Sequence, residues 1–474
     1  MASLVVGLGR TGASCLRYFA KHGIAAAATD SRQSPPGLAE LGPLARTLDI
    51  RLGSLDLSLL DGASQVLMSP GVSLDEPIAR AARARGIEVL GDVELFARAV
   101  HAPVIGITGT NGKSTVTSLV AAMASAAGRR VLAGGNLGTP ALDLLDQPVP
   151  DLYVLELSSF QLETTTSLDL QGAVVLNVTA DHMDRYATVL DYARAKERIF
   201  AHAATVVRNA DDPLVMAMGE AALRGAAVRR TAGGGAGDRA APKVTTFSTQ
   251  RTDADYSLLR EGARTYLSRH GAVVLEMARM KITGVHNAAN ALAALALGDA
   301  AGLPLPAMLQ ALETFPGLPH RSAWIAAFGG VRYVDDSKGT NVGATLAAVD
   351  GMPGPLVVIA GGVSKGQDFA PLAAAFKGKV RHVVLIGKDA GDVERTLAGV
   401  VSSERAASMQ DAVAAAARAA QSGDTVLLSP ACASFDMFRD YGHRGDVFAA
   451  AVRGLAGAAP LGAAPPGIAR PGAA

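Results

Sequence analysis

The sequence predicts an α/β chain of three domains, each built on a mostly parallel sheet. Three observations carry that expectation. The chain has 474 residues, which suits about three domains of ~150 residues each and exceeds what one ordinary core holds. Short apolar runs alternate with helix-compatible stretches along most of its length, the pattern of parallel strands covered by helices. Two glycine-rich loops each follow an apolar run and precede a helical one, which is how such sheets present backbone N–H groups to phosphate.

Residues 1–92 read as a small α/β domain with strands at 4–6, 24–28, 65–68 and 88–90, and residues 92–99 as a connecting helix. A second domain, 93–317, opens with a strand at 103–107, the second glycine loop and a helix at 116–127. Its further strands fall at 153–157, 173–178 and 205–208. The Gly/Ala-rich stretch 229–243 reads as a surface loop, and alternating residues over 256–275 predict an antiparallel insertion. A helix over 287–297, extended to about 312, closes this domain, and Phe315-Pro-Gly-Leu-Pro reads as a linker. The third domain, 318–455, has strands at 332–334, 356–360, 382–386 and 425–428, again a doubly wound pattern. The Ala/Pro/Gly-rich stretch 456–474 is expected to be a disordered tail.

Composition narrows the function classes. Lysine plus arginine total 44 against 43 for aspartate plus glutamate, so no overall field favours nucleic acid or an acidic membrane surface. A small-molecule partner is expected. Two cysteines in distant segments, Cys15 and Cys432, do not make a disulfide framework and suit a reducing cytoplasm. No apolar run approaches the ~18 residues that span a bilayer, and no basic leader precedes the first strand.

The run Gly-Ile-Thr-Gly-Thr-Asn-Gly-Lys-Ser-Thr, residues 106–115, is the strongest chemical signal. Gly109, Thr110, Asn111 and Gly112 can turn N–H groups toward an anion, Lys113 can reach terminal phosphates, and the Ser114 hydroxyl can ligate Mg²⁺, with Thr115 beside it. Ile107 stands where the general phosphate-loop pattern has glycine. Gly7-Leu-Gly-Arg-Thr-Gly12 with Asp30 beyond it has the form of a dinucleotide fingerprint. It fits an NAD site, another phosphorylated ligand or a plain tight turn, and Arg10 and Arg32 beside Asp30 favour the second.

Glu156 ends an apolar strand, where open sheets gather ligands, and can hold Mg²⁺ or cap a helix. Asp181 and His182 follow another strand, and His182 is a candidate metal ligand by convergence with Glu156 and Ser114. Lys196 by itself reads as a solvated helix lysine. The loops after two strands of the third domain carry Lys338 and Lys365, a pair suited to an anionic substrate. The run 428–441 exposes Ser434 near a helix N-terminus, where a carboxylate can dock. Cys432, among Pro-Ala-Cys-Ala, reads as a packed thiol rather than a nucleophile.

Together, Gly-Arg-Thr-Gly, Gly-Thr-Asn-Gly-Lys-Ser-Thr, Leu-Glu-Leu-Ser-Ser-Phe-Gln-Leu-Glu, Asp-His-Met-Asp-Arg-Tyr and Ser-Pro-Ala-Cys-Ala-Ser resemble the Mur ligase family of peptidoglycan precursor synthesis. The resemblance covers nearly the whole chain and is strongest to the branch that adds D-glutamate. It implies a Rossmann-like UDP-binding domain, a central P-loop ATPase-like domain and a Rossmann-like C-terminal domain. It implies ATP-driven amide formation, with D-glutamate joined to UDP-N-acetylmuramoyl-L-alanine through an acyl phosphate, in a cytoplasmic monomer. The Ile107 loop form is the family's own.

By the same resemblance, Lys113 and its loop hold the phosphates, and Asn290, Arg321 and Asp336 contact the nucleotide. Ser114, Glu156, His182 and Lys196 serve two Mg²⁺ ions, Lys196 as a carbamate formed from CO₂. Thr11, Ser31, Arg32, Ser69, Gly71, Asn136 and Ser158 bind the UDP-sugar substrate. Lys338, Thr340, Lys365, Ser434 and Tyr441 hold D-glutamate, with Tyr441 standing where phenylalanine is common. A folylpolyglutamate-type ligase shares the loop and the modified lysine but not the UDP-binding domain. An NAD-dependent oxidoreductase leaves the second glycine loop unexplained.

Overall fold

The computed structural model describes residues 2–136, 138–219, 241–282, 284–352 and 354–455. Residues 229–240 of the expected surface loop and the expected tail 456–474 lie outside the described residues.

Three sheets organise the chain. The first contains β1 (Ala2–Val6), β2 (Ala26–Asp30), β3 (Asp49–Leu52), β4 (Ala63–Met68) and β5 (Glu88–Leu90), in the order β3-β2-β1-β4-β5. All its pairings are parallel. Strand order reverses beside β1, so the ends of β1 and β4 open a crevice there. Helix α1 (Arg10–Lys21) rises from that crevice, and Gly12 is what lets it pack so close. A Cβ on Gly12 would lie 2.0 Å from the Gly7 carbonyl oxygen.

Helix α2 (Asp92–Ala99) leads into the central sheet. That sheet holds β6 (Val104–Thr108), β7 (Val131–Gly135), β8 (Leu152–Glu156), β9 (Gly172–Val175), β10 (Thr205–Asn209), β11 (Lys243–Ser248), β12 (Tyr256–Glu261), β13 (Arg264–Arg269) and β14 (Ala272–Glu276). The order is β14-β13-β12-β11-β10-β9-β6-β8-β7. The antiparallel segment is therefore no separate insertion. β11 pairs parallel to β10 and β12 parallel to β11, and only β12 to β14 run antiparallel, extending the sheet at one edge.

The central β6 is buried throughout, and α3 (Lys113–Ala126) follows it after the phosphate-type loop. Short α4 (Ser159–Glu163), α5 (Val189–Glu197) and α6 (Pro213–Ala217) follow β8, β9 and β10. The expected closing helix is two helices, α7 (Val285–Ala300) and α8 (Leu305–Thr314). Gly302, at φ +67°, and Pro304 break the chain between them. Residues 290–298 of α7 are all buried, so it lies in the core against α3 and the sheet.

The third sheet contains β15 (Ala323–Phe328), β16 (Val331–Asp335), β17 (Leu356–Gly361), β18 (Val380–Ile386), β19 (Ser402–Arg405) and β20 (Thr425–Leu428), in the order β15-β16-β20-β17-β18-β19. β15 is an antiparallel edge, and Trp324, 4% exposed, sits in it opposite Val334. Helices α9 (Val342–Gly351) and α10 (Tyr441–Leu455) flank this sheet. Cys15 and Cys432 are buried free thiols in different domains, and burial pushes the Cys432 thiol up to about 12, so it is the packed group the sequence suggests.

Candidate active site

Two clefts carry the expected site residues. The first, about 1170 Å³, opens at the reversal of the first sheet and is lined by Thr11, Ser31, Arg32, Ser69, Gly71 and Asn136 among others. Asp30 at its floor is fully engaged. Its two carboxylate oxygens accept from the Leu8 N–H at 2.6 Å, the Arg32 N–H at 2.8 Å and the Arg32 guanidinium at 2.7 and 2.9 Å. A dinucleotide site needs this acid for a ribose hydroxyl; here it orients Arg32, half exposed, at the mouth of the cleft. Arg185 and Gln161, which sequence reasoning did not single out, also face this cleft. Arg185 is held by Pro70 O, by Glu163 and by the Phe160 ring. Ser158 does not line it: its hydroxyl accepts from the Gln161 N–H and forms the capping box of α4.

The second cleft, about 280 Å³, lies between the central and C-terminal domains and is lined by Asn111, Gly112, Asn290, Arg321, Asp336 and Lys338 among others. Gly112 adopts φ +86°, and a Cβ there would meet Asn290 Oδ1 at 2.4 Å, so glycine is required to bring loop and α7 together. Loop and neighbouring strand end are tied reciprocally: the Asn111 N–H donates to Asn177 Oδ1 and Asn177 Nδ2 to Asn111 O. Lys113 Nζ donates to the Gly109 and Thr110 carbonyls at 2.9 and 2.8 Å. Burial lowers its pKa, opposed by Glu156 and Asp181.

Glu156 is tied to the first cleft and its charge acts on Lys113 of the phosphate-type loop. Its Oε1 accepts from Asn136 Nδ2, a residue of the first cleft, at 2.7 Å, while its buried Oε2 has no partner among the described residues. His182, at φ +58°, packs edge-on against Phe160 and Tyr192. Burial, together with Lys365, Lys113 and Lys196 and against Asp181, pushes its pKa down to about 4, so the imidazole is neutral at pH 7 and able to act as a ligand.

The reading of Lys196 as a solvated helix lysine is overturned. It is 1% exposed, donates to Gly109 O at 2.9 Å and lies 4.2 Å from the centre of the Tyr192 ring. Burial first and Lys113 second push its pKa well below the usual lysine value. Nothing in the spacing of α5 marks this, because the helix is short and its burial comes from the loop after β6.

The C-terminal domain closes the site through its strand-end loops. Arg321 Nη2 donates to Ser114 Oγ at 2.8 Å, and Lys365, at φ +53°, pairs with Asp181 Oδ1 at 3.2 Å. Asn341, which caps α9, exchanges amide hydrogen bonds with Asn111 at 3.1 and 3.3 Å and donates to Asp181 Oδ2. It stands one residue past the Lys338–Thr340 stretch, and sequence reasoning gave it no role. Burial raises Asp336 to about 7, with Ser322 N–H and Ser429 Oγ donating to it. Ser434 is 2% exposed in a turn, and α10 begins only at Tyr441, so it is not at the helix N-terminus expected. Thr340, Lys365, Ser434 and Tyr441 are not among the residues lining the second cleft, whereas Lys338 is.

Among the described residues no three His, Cys, Asp or Glu side chains gather as a metal cage. The donors nonetheless fit Mg²⁺ of the kind completed by phosphate oxygens and water: the orphaned Glu156 Oε2, a neutral His182 and the Ser114 hydroxyl.

The chain belongs to the Mur ligase family. Three family models match: the Mur ligase MurD-like N-terminal domain over residues 1–91, the Mur ligase middle domain over 107–298, and the Mur ligase glutamate ligase domain over 320–432. Within the family it is similar to proteins named UDP-N-acetylmuramoylalanine–D-glutamate ligase. That of Nitrosococcus oceani is 53% identical over 95% of this chain and 96% of its own, and that of Methylococcus capsulatus is 49% identical over 96% and 95%. Among solved structures, UDP-N-acetylmuramate-alanine ligase MurC from Thermotoga maritima shares the fold, with TM-score 0.60 at 19% identity over 96% of this chain and 100% of that one.

Proposed function

We propose that this chain is an ATP-dependent amide ligase that joins D-glutamate to UDP-N-acetylmuramoyl-L-alanine, an early step of peptidoglycan precursor synthesis. The observation that carries the reading is Glu156, one oxygen bonded to Asn136 of the first cleft, the other buried without a hydrogen-bond partner among the described residues, and its charge acting on Lys113 of the phosphate-type loop. The relatives' names supply the substrates. In this reading Arg32, Thr11, Ser31, Ser69 and Gly71 hold the UDP-sugar, with Asn136 orienting its acyl end. Gly109 to Thr115, Asn290, Arg321 and Asp336 hold ATP. The domains divide at 92/93 and 317/318, and the enzyme works as a cytoplasmic monomer.

The alanyl carboxylate attacks the γ-phosphorus, ADP leaves, and the resulting acyl phosphate takes the amine of D-glutamate with loss of phosphate. This chemistry asks for positioning and charge neutralisation. Lys113 and Arg321 face the transferring phosphoryl group, and Lys338, Thr340, Lys365, Ser434 and Tyr441 form the amino-acid side. Mg²⁺, two ions in this reading, would be held by Ser114, Glu156, His182 and Lys196, and supplies charge on the phosphate oxygens. A carbamate on Lys196 is supported by burial and by its depressed pKa, since only an uncharged amine adds to CO₂.

The test is phosphate release with each of several amino acids. ATP turnover is expected only with UDP-N-acetylmuramoyl-L-alanine and D-glutamate together. Equal turnover with L-glutamate, L-lysine or diaminopimelate overturns the assignment.

A further inference from the structure

The cations around the second cleft are not alike. Lys113 donates to the Gly109 and Thr110 carbonyls, Lys196 to the same Gly109 carbonyl, Arg321 to Ser114, and Lys365 pairs with Asp181. Lys338 differs. Among the described residues its Nζ has no hydrogen-bond acceptor and no carboxylate, and lies over the face of Tyr441, 3.8 Å from the ring centre. Its loop is tight, since a Cβ on Gly339 would meet Asp336 Oδ2 at 2.7 Å and Ser429 Oγ at 2.8 Å. Lys338 is therefore held at the cleft wall with its nitrogen uncommitted.

We propose that Lys338 is the base that takes the proton from the ammonium of the incoming amino acid. The inference rests on the ligase reading above. An amino acid arrives as R–NH₃⁺, which has no lone pair for attack. Lys338 as R′–NH₂ accepts one proton and becomes R′–NH₃⁺. The freed amine forms the C–N bond to the acyl phosphate carbon, the C–O bond to phosphate breaks, and the second nitrogen proton leaves with the phosphate. The Tyr441 face then stabilises the new ammonium.

The groups facing Lys338 suit this role. Burial comes first in lowering its pKa to about 7, and Arg321, Lys113 and Lys365 add to it, while Glu156 opposes. A base poised near the working pH combines a populated neutral form with sufficient proton affinity. A lysine kept only to anchor a carboxylate has no use for a neutral form.

Hydroxylamine separates the roles, because it is uncharged at neutral pH and attacks an acyl phosphate without a base. Wild type and Lys338→Arg are compared for hydroxamate formation and for D-glutamate ligation, each at saturating amino acceptor, with melting curves as a folding control. The proposal expects ligation to fall about a hundredfold or more in the variant, while hydroxamate formation falls less than tenfold. It also expects wild-type ligation, but not hydroxamate formation, to rise with pH through about 7. Retained ligation with a raised KM for D-glutamate, or an equal loss of both reactions, overturns it. Wild type that makes no hydroxamate from ATP and UDP-N-acetylmuramoyl-L-alanine removes the ligase reading itself, by a readout in which Lys338 has no part.

Discussion

Lys113 and Lys196 show how differently two lysines declare themselves. Lys113 is announced by its glycines and by the strand and helix on either side, and it stands at the first position of α3 as that context demands. Lys113→Ala is expected to lower kcat by about a hundredfold or more, the usual cost of removing a charge that faces a transferring phosphoryl group. Near-normal activity with an unchanged melting curve removes this loop from the chemistry. Lys196 was legible only through the family resemblance, because burial by a loop 87 positions away leaves no local signal. Lys196→Ala is expected to be nearly inactive, with part of the activity restored by acetate, which supplies a carboxylate, and none by chloride. Full activity in the alanine variant refutes the carbamate. Arg32→Ala, at the mouth of the other cleft, is expected to raise the KM for the UDP-substrate and leave ATP affinity nearly intact; saturable NAD binding lost in this variant revives the oxidoreductase reading.

At the scale of elements, the buried strands and the edge strand β5 were readable, whereas the edges β3, β15 and β19 were not. β8, β17 and β20 are buried throughout and apolar apart from Glu156 at the end of β8 and Thr425 at the start of β20, so composition marks them. β3, half polar, and β19, wholly polar, are edge strands with no fully buried residue, and their hydrophobic signal is correspondingly weak. β15 had a usable signal, the Gly329-Gly330 turn with both φ positive, which closes a hairpin onto β16. Helix α2 was placed correctly, yet its first residue carries an unforeseen burden. Asp92 is 2% exposed, accepts a 3.3 Å hydrogen bond from Gln161, and among the described residues its Oδ1 has no hydrogen-bond partner. Burial raises its pKa to about 6. A carboxyl raised above its unfolded value of about 3.9 supports the fold fully below that value, and its contribution fades as pH rises through 6. Asp92→Asn is therefore expected to raise Tm at pH 8, by up to about 3 kcal/mol in stability, and to show no gain near pH 4. A melting series across pH checks this, and an equal gain at both ends contradicts it.

Across the whole molecule, the central and C-terminal domains are joined at the site by few polar contacts: Arg321 to Ser114, Lys365 to Asp181, and Asn341 to both Asn111 and Asp181. Asn341→Asp sets a second carboxylate against Asp181, now 3.2 Å from the amide it replaces. The variant is expected to show a larger radius of gyration than wild type by small-angle scattering at low salt, shrinking toward it as salt screens the repulsion. Identical profiles at low salt show that these contacts do not govern closure.

The edge strand β15 has one more consequence. It holds Trp324, the chain's single tryptophan, buried within the third sheet. Tryptophan emission during denaturation therefore watches the C-terminal domain alone, whereas circular dichroism sums all three. Superimposable curves from the two probes would mean that the domains melt as one cooperative unit. Any separation between them measures, without a label, how far this domain unfolds independently of the rest.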